Sequence, residues 1–304
     1  MNKIPFYIIT SDATQEILPV TSYLYNKYWK VEGGQIFKVL GNQTPQELLP
    51  ENFEFIKIKN DNNIQEWTRY IYEYILKNET SEYFIITLDD YLPNSPLKSH
   101  ILEEVLAYAK NDLKVGRVSL ARLDVEKWER IKSSKGYDLV ELTENSLYRI
   151  SCQTSIWNRE YFLKYFKHNW TPWQLELEGS KLAKYDGWRI IGTNDDWAYG
   201  WQEESALSGR WPGKVNILGV RPEDIEYCIE KKFLSPKKLQ YGIWYDTKIP
   251  LLSRFQCISK KLTKIPQFIE IGYDFSWEKI RPYIRTKTFN RLYNRYKNIY
   301  PSAR

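Results

Sequence analysis

Six consecutive residues, Tyr83-Phe84-Ile85-Ile86-Thr87-Leu88, carry apolar or aromatic side chains at all but one position and stop at two acids, Asp89 and Asp90. A strand with one wet face alternates apolar with polar residues. One that does not alternate is covered on both faces, which requires helices on either side of a sheet. The surroundings agree. Residues 6–10, 36–40, 53–58 and 115–120 are further short β-rich runs. Between them Ile64, Trp67, Tyr70, Ile71, Tyr74 and Ile75 recur at helical spacing behind an Asn63/Glu66 capping signal, and Leu97, Ile101, Val105, Leu106 and Ala109 share one face of another helix. Strands alternating with helices predict an α/β protein with a mostly parallel, doubly wound central sheet.

Downstream the pattern changes. Residues 138–152 form two short runs around Thr143-Glu144-Asn145-Ser146, which predicts a hairpin. A short helix is expected over 159–166. Another starts at Thr171-Pro172, with threonine at the cap, proline at the first helical position and Gln174 closing a capping box. Glu176 falls near the second turn of that helix. Residues 209–219 and 242–250 read as loops or irregular strands, and 277–304 as terminal helix.

Several classes are excluded at this level. The longest apolar run is far shorter than the roughly 20 residues that cross a bilayer, and the N-terminal residues lack the apolar region and cleavage site of a signal peptide. A cytoplasmic location is expected. Cys152, Cys228 and Cys257 are odd in number and accompanied only by His100 and His168, which argues against a disulfide scaffold or zinc site. The 12 Trp and 24 Tyr suit sugar rings and nucleobases, but aromatic residues equally fill cores. A formal charge of +6 is mild for 304 residues. It is concentrated in 279–304, which holds eight Lys and Arg, no Asp or Glu, and interleaved tyrosines. That tail predicts peripheral contact with an anionic inner membrane face or a lipid-pyrophosphate acceptor; a packed helical face is the competing reading.

Open parallel sheets bind ligands outside the carboxyl ends of their strands, which gives Thr10-Ser11-Asp12 and Asp89-Asp90 one address. Adjacent carboxylates there could hold magnesium or manganese bridging diphosphate oxygens. A solvated turn is the alternative, because Asp is common in turns. Glu176 and Glu178, two apart on a helix, cannot face the same way, so one is expected to face a cleft and the other solvent.

Three stretches carry a resemblance: 67–91 with its Trp-bearing helix and Asp89-Asp90-Tyr91, then Ser151-Cys152-Gln153-Thr154-Ser155-Ile156-Trp157-Asn158-Arg159-Glu160-Tyr161-Phe162, and Thr171-Pro172-Trp173-Gln174-Leu175-Glu176-Leu177-Glu178-Gly179-Ser180. Together they resemble a family of bacterial GT-A-type glycosyltransferases, with a Gly209-Arg210-Trp211 turn fitting its weakly patterned C-terminal part. The resemblance runs from the first strand to near residue 219. It implies a GT-A, Rossmann-like fold over 1–220, with a nucleotide-sugar half (1–125) and an acceptor half (126–220), followed by an extension (221–304). It implies a nucleoside-diphosphate-sugar donor, a glycan or lipid-linked acceptor, and Glu176 as general base of an inverting transfer. Thr10, Ser11, Asp12, Asp89 and Asp90 would bind the donor, and Gln153, Trp157 and Trp173 the sugars. The family's Asp-any-Asp pattern is broken by Tyr91, which leaves Asp90 as one metal ligand, or none. Two other readings compete: a polyanion-binding module without catalysis, built on the basic tail, and a nucleotidyltransferase on a similar fold. Nucleic acid is not the expected partner.

Overall fold

The computed structural model describes residues 4–58, 63–112, 114–120, 128–134, 136–194 and 220–235. By compactness the chain divides into two units, Met1–Leu207 with Gly219–Pro236, and Ser208–Leu218 with Lys237–Arg304. All described residues belong to the first. The 279–304 tail, the loops expected at 209–219 and 242–250, and Cys257 lie outside them.

The first half alternates strand and helix: β1 (Phe6–Ile9), α1 (Leu18–Tyr28), β2 (Phe37–Gly41), β3 (Phe53–Lys57), α2 (Trp67–Asn78), β4 (Tyr83–Leu88), α3 (Ser99–Asn111) and β5 (Val115–Ser119). The second is less regular: β6 (Trp128–Ser134), β7 (Tyr137–Leu142), β8 (Ser155–Asn158), α4 (Arg159–Phe166), α5 (Pro172–Gln174), α6 (Ser180–Leu182), β9 (Arg189–Thr193) and α7 (Pro222–Glu230). Five π-helical residues, Leu175–Gly179, join α5 to α6.

All nine strands form one sheet in the order β3-β2-β1-β4-β8-β5-β9-β7-β6. The first four are parallel throughout. β8 is antiparallel to both its neighbours, β4 and β5, while β9 is parallel to β5 and antiparallel to β7. Only β7 and β8 therefore oppose the rest, and the class is α/β with a mostly parallel sheet flanked by helices.

Alternate residues of the central strands enter opposite cores, as the twofold period of a strand requires. Phe6 and Ile8 of β1 and Tyr83 and Ile85 of β4 pack with Leu18, Tyr25, Ile101 and Val105 of α1 and α3. Tyr7, Ile9, Phe84 and Ile86 pack with Ile71, Ile75, Phe162 and Phe166 of α2 and α4. Each large apolar side chain so enclosed contributes about 1.5–3 kcal/mol, which is why β4 tolerates almost no polar residue. Among the described residues no helix is long and apolar enough to cross a membrane.

The expected hairpin around 143–146 is a correction. β7 pairs upstream with β6 instead, around Gly136, and with β9 on its other side. Residues 147–154 form no strand, and Tyr148 takes the left-handed conformation at φ 57°. Two arginines account for the departure. Arg149 is fully buried and donates to the carbonyls of Leu142 and Thr143 and to those of Ala183 and Trp188, which ties the segment to residues 183–188 rather than to a second strand. The second is Arg117, whose Nη2 donates to the Tyr148 carbonyl. The capping box at Thr171, Pro172 and Gln174 forms as expected. Asn63 also caps, although it accepts from the amide of Gln65 while Glu66 accepts from Tyr70. Beyond residue 220, α7 is fastened to α1 by Asp224, a fully buried carboxylate that accepts from Tyr23 and Tyr28 and pairs with Lys27.

Candidate functional site

In a doubly wound sheet the chain leaves a crevice where the strand order reverses, here between β1 and β4. Thr10 follows β1 and Asp89 follows β4. They meet across that crevice: Thr10 Oγ1 donates to Asp89 Oδ2 at 2.5 Å, and Thr14 Oγ1 donates to the same oxygen at 2.7 Å. The Asp89 amide donates to the Ile9 carbonyl, and Thr21 Oγ1 to the Asp89 carbonyl at 2.6 Å. Asp89 is only 2% exposed. Burial, then the charge of Asp90, pushes its carboxyl up to about 8, against the two threonine hydroxyls that favour the ionised form. Asp89 thus ties the end of β4 to the turn after β1. Thr14 is a partner that sequence reasoning missed.

Beside this junction lies an open cavity of about 210 Å³, formed by residues 9–13 after β1, Asn42 after β2, Ile58 after β3, and Asn63, Ile64, Trp67, Tyr70 and Ile71 at the start of α2. Thr10, Ser11 and Asp12 line it together, whereas Asp89 and Asp90, expected at the same address, are not in its lining, although Asp89 accepts from Thr10. Asp12 Oδ1 accepts from the Gln43 amide at 3.2 Å, while its buried Oδ2 has no hydrogen-bond partner among the described residues. Gly41 makes the junction compact: a Cβ there would stand 2.7 Å from the Thr10 methyl and 2.9 Å from the Phe55 ring. Asn42, Trp67 and Tyr70 were not singled out as site residues by the sequence, because the two rings also satisfy the helical stripe of α2.

The acidic helix reaches the same rim by way of β8. Because β8 runs against β4 and β5, its first residue, Ser155, abuts Ile86 and Ser119 near their carboxyl ends. The turn before it, 151–154, therefore lies on the edge where Asp89 and Asp90 leave β4, and Thr154 Oγ1 sits 2.6 Å from Thr87 Oγ1. Glu176 is held to this turn. Its Oε1 accepts from the Cys152 amide at 2.7 Å and from Ser151 Oγ at 3.2 Å. The π-helical turn lets Gly179 approach Ile150, where a Cβ would meet side-chain atoms at 3.3 Å, and π-turns of this kind recur at functional sites. Burial pushes the Glu176 carboxyl up, opposed by the Cys152 amide, the Ser151 hydroxyl and the Arg117 charge. Glu178 faces solvent and pairs with Lys181 at 2.7 Å.

Tyr91 joins the two carboxylate regions. Its phenol is pushed up by burial and then by the charges of Asp90 and Glu176, and the Cys152 thiol also feels both. Asp90 is buried at the end of β4. Among the described residues no group of three or more His, Cys, Asp or Glu side chains is arranged to hold a metal ion. Asp90 could supply one oxygen, and donor oxygens would have to complete the shell of a divalent ion.

The three residues expected to bind sugars fall in different places. Trp173, 62% exposed, stands one helical turn before Glu176. Gln153 is half-buried in the 151–154 turn, with its amide on Ser151 Oγ and its carbonyl accepting from Ser155. Trp157 does not fit the expectation. It is 1% exposed and enclosed by Tyr161, Phe162 and Phe166, so neither ring face is open to a ligand. A position in β8 paired with β4 on one side and β5 on the other is the physical reason.

No protein-family model matches the chain, and no curated protein matches it in sequence. Among solved structures it is similar to a cytidylyltransferase from Leptospira borgpetersenii (10% identity, TM-score 0.39, covering 90% of this chain and 99% of that one). It is similar as well to apo-UDP-glucose pyrophosphorylase (12% identity, TM-score 0.39, 76% and 100% covered). Residues 1–349 of S. aureus TarS give 13% identity and a TM-score of 0.40, with 64% of this chain and 60% of that one covered. At these scores the likenesses assign neither a family nor an activity, and the site stands on the chain's own geometry.

Proposed function

We propose that the chain is a glycosyltransferase that moves a sugar from a nucleoside-diphosphate donor to an acceptor hydroxyl, with inversion and with Glu176 as general base. The observation that carries this reading is the placement of Glu176 and Asp90 on one rim: antiparallel β8 brings the 151–154 turn to the edge where Asp90 leaves β4, and Tyr91 lies within reach of both charges.

The cavity at the ends of β1–β3 suits a nucleobase. Its walls include the half-buried rings of Trp67 and Tyr70, and Asp12 contributes a carboxylate to its lining. A donor based there extends its diphosphate toward Asp90. If a divalent ion accompanies it, Asp90 would help to hold that ion, whose chemistry there would be neutralisation of charge on the leaving group. A sugar hydroxyl is a weak nucleophile at neutral pH. Glu176 takes its proton as the new glycosidic bond forms at the anomeric carbon and the nucleoside diphosphate departs. A carboxyl raised by burial is a stronger base than a solvated one, and the exposed ring of Trp173, one helical turn before Glu176, would stack on the acceptor.

The test is a thermal-shift screen of nucleoside diphosphates and their sugars, with and without manganese, followed by product analysis of the best donor. A ligand that binds only the folded state raises the melting temperature. Released nucleoside diphosphate with a glycosylated acceptor supports the proposal. Pyrophosphate formed from a nucleoside triphosphate and a sugar phosphate assigns the nucleotidyltransferase reading instead, and no stabilisation by any nucleotide removes both.

A further inference from the structure

Arg117 occupies the middle of β5, between Gly116 and Val118, and is 2% exposed. A buried guanidinium without compensation costs several kcal/mol. No carboxylate is in contact with it among the described residues. Nη1 donates to Ser155 Oγ at 3.1 Å, Nη2 to the Tyr148 carbonyl at 3.3 Å, and its plane lies 5.7 Å from the Trp157 ring centre. Nε has no hydrogen-bond partner among the described residues. Such a costly side chain persists where it does something a hydrophobic residue cannot.

The hydrogen bonds beyond Arg117 run in one direction. Ser155 Oγ, accepting from Arg117, donates to the Gln153 carbonyl at 2.8 Å. The Gln153 amide donates to Ser151 Oγ at 3.2 Å, and Ser151 Oγ donates to Glu176 Oε1 at 3.2 Å. Every hydroxyl in this chain accepts once and donates once, so no proton is contested, and the path begins at a cation and ends at an anion. We propose that Arg117 is a positioning residue for Glu176: through Ser155, Gln153 and Ser151 it fixes the turn that grips the carboxylate, and its positive charge acts on that carboxylate. The role of the carboxylate rests on the reading of Glu176 as base; the coupling between the two charges does not.

The groups facing Glu176 are few. Tyr91 comes from the end of β4, Ser151 and Cys152 from the turn, and Arg117 from β5; Asp90 acts on Tyr91 and Cys152, and Arg149 and Tyr161 lie close to Arg117. Arg149 is committed to four carbonyls and lies near Asp186, which makes Arg117 the nearby cation without a carboxylate of its own. Removing it leaves burial, which favours the protonated acid, opposed only by the Cys152 amide and the Ser151 hydroxyl.

The experiment is a carbon-13 NMR titration of the full chain labelled at glutamate carboxyls, with Glu176→Gln identifying the resonance. Arg117→Met is expected to move the Glu176 midpoint to higher pH, and Arg117→Lys, which keeps the charge, to bring it back toward the native value. Ser155→Ala removes the link with one small deletion. It is expected to shift the Glu176 resonance and raise its midpoint, and it serves as the test should Arg117→Met fail to fold. A native midpoint in folded Arg117→Met, equal displacement in the Met and Lys variants, or an unmoved resonance in Ser155→Ala each overturns the proposal. The titration needs no turnover. A fully active Glu176→Gln protein would remove the base reading and leave the coupling standing.

Discussion

The two halves of the sheet hold their carboxylates by opposite means. On the β1–β4 side, strands are parallel and helices regular, and Asp89 is enclosed by threonine hydroxyls that close the crevice between β1 and β4. On the β8 side, the strand runs backwards, the helix contains a π-turn, and Glu176 is held by one backbone amide and one serine from a turn anchored by buried arginines. The first arrangement joins two strands and so belongs to the scaffold. The second leaves the carboxylate partly open, beside an exposed tryptophan, where its proton affinity can be used. Burial raises both carboxyls; what each is tied to differs.

The contrast can be broken most severely at the two tryptophans. Trp157→Ala empties a core site between β4 and β5 and is expected to cost about 3–5 kcal/mol in chemical denaturation. A loss below 1 kcal/mol would return Trp157 to the list of ligand contacts. Next in size is the pH dependence carried by Asp89. Its folded value, about 8, lies above that of an unfolded aspartate, so the folded state binds the proton more tightly. The resulting stabilisation is present at acid pH and lost as pH rises from about 4 toward 8. Asp89→Asn should therefore flatten the decline in stability between pH 5 and pH 8, measured by urea midpoints on both proteins. Parallel curves would mean that Asp89 ionises normally. The smallest effects belong to the exposed face. Trp173→Ala and Glu178→Gln should each change stability by no more than about 0.5 kcal/mol. Trp173→Ala should raise the acceptor KM without altering donor affinity, and an unchanged acceptor KM would remove it from the site.

The same contrast explains what could be read from the residues alone. β4 and α2 are legible because burial on two faces and on one stripe leaves clean periodicities, and the cap at Thr171 is local chemistry that needs no tertiary context. α1 is not legible: buried residues occur all round it, including Val20, Thr21, Leu24, Tyr25 and Tyr28, so no polar face sets a period. The 138–152 segment reads as a hairpin because its composition is strand-like, while its path is decided by Arg149 within it and Arg117 from β5, through bonds that no local pattern shows. Arg117 itself offers a faint signal, a charged residue within Val-Gly-Arg-Val-Ser, but nothing in the spacing shows that the side chain turns inward. Thr10, Asp12 and Asp89 follow from the rule that polar residues after parallel strands gather at one edge. Ser151 and Cys152 as the holders of Glu176 do not, since an antiparallel β8 had to be known first.

The central claim is that Glu176 acts on the acceptor while the β1–β4 side binds the donor. It is tested most directly by measuring donor affinity by calorimetry and the single-turnover rate on Glu176→Gln, which keeps the size of the side chain and discards its basicity. The account predicts near-native donor affinity, a native melting temperature within a few degrees, and turnover reduced by about 10²-fold or more, the scale of a positioned general base. A Glu176→Gln protein that turns over at the native rate would contradict it.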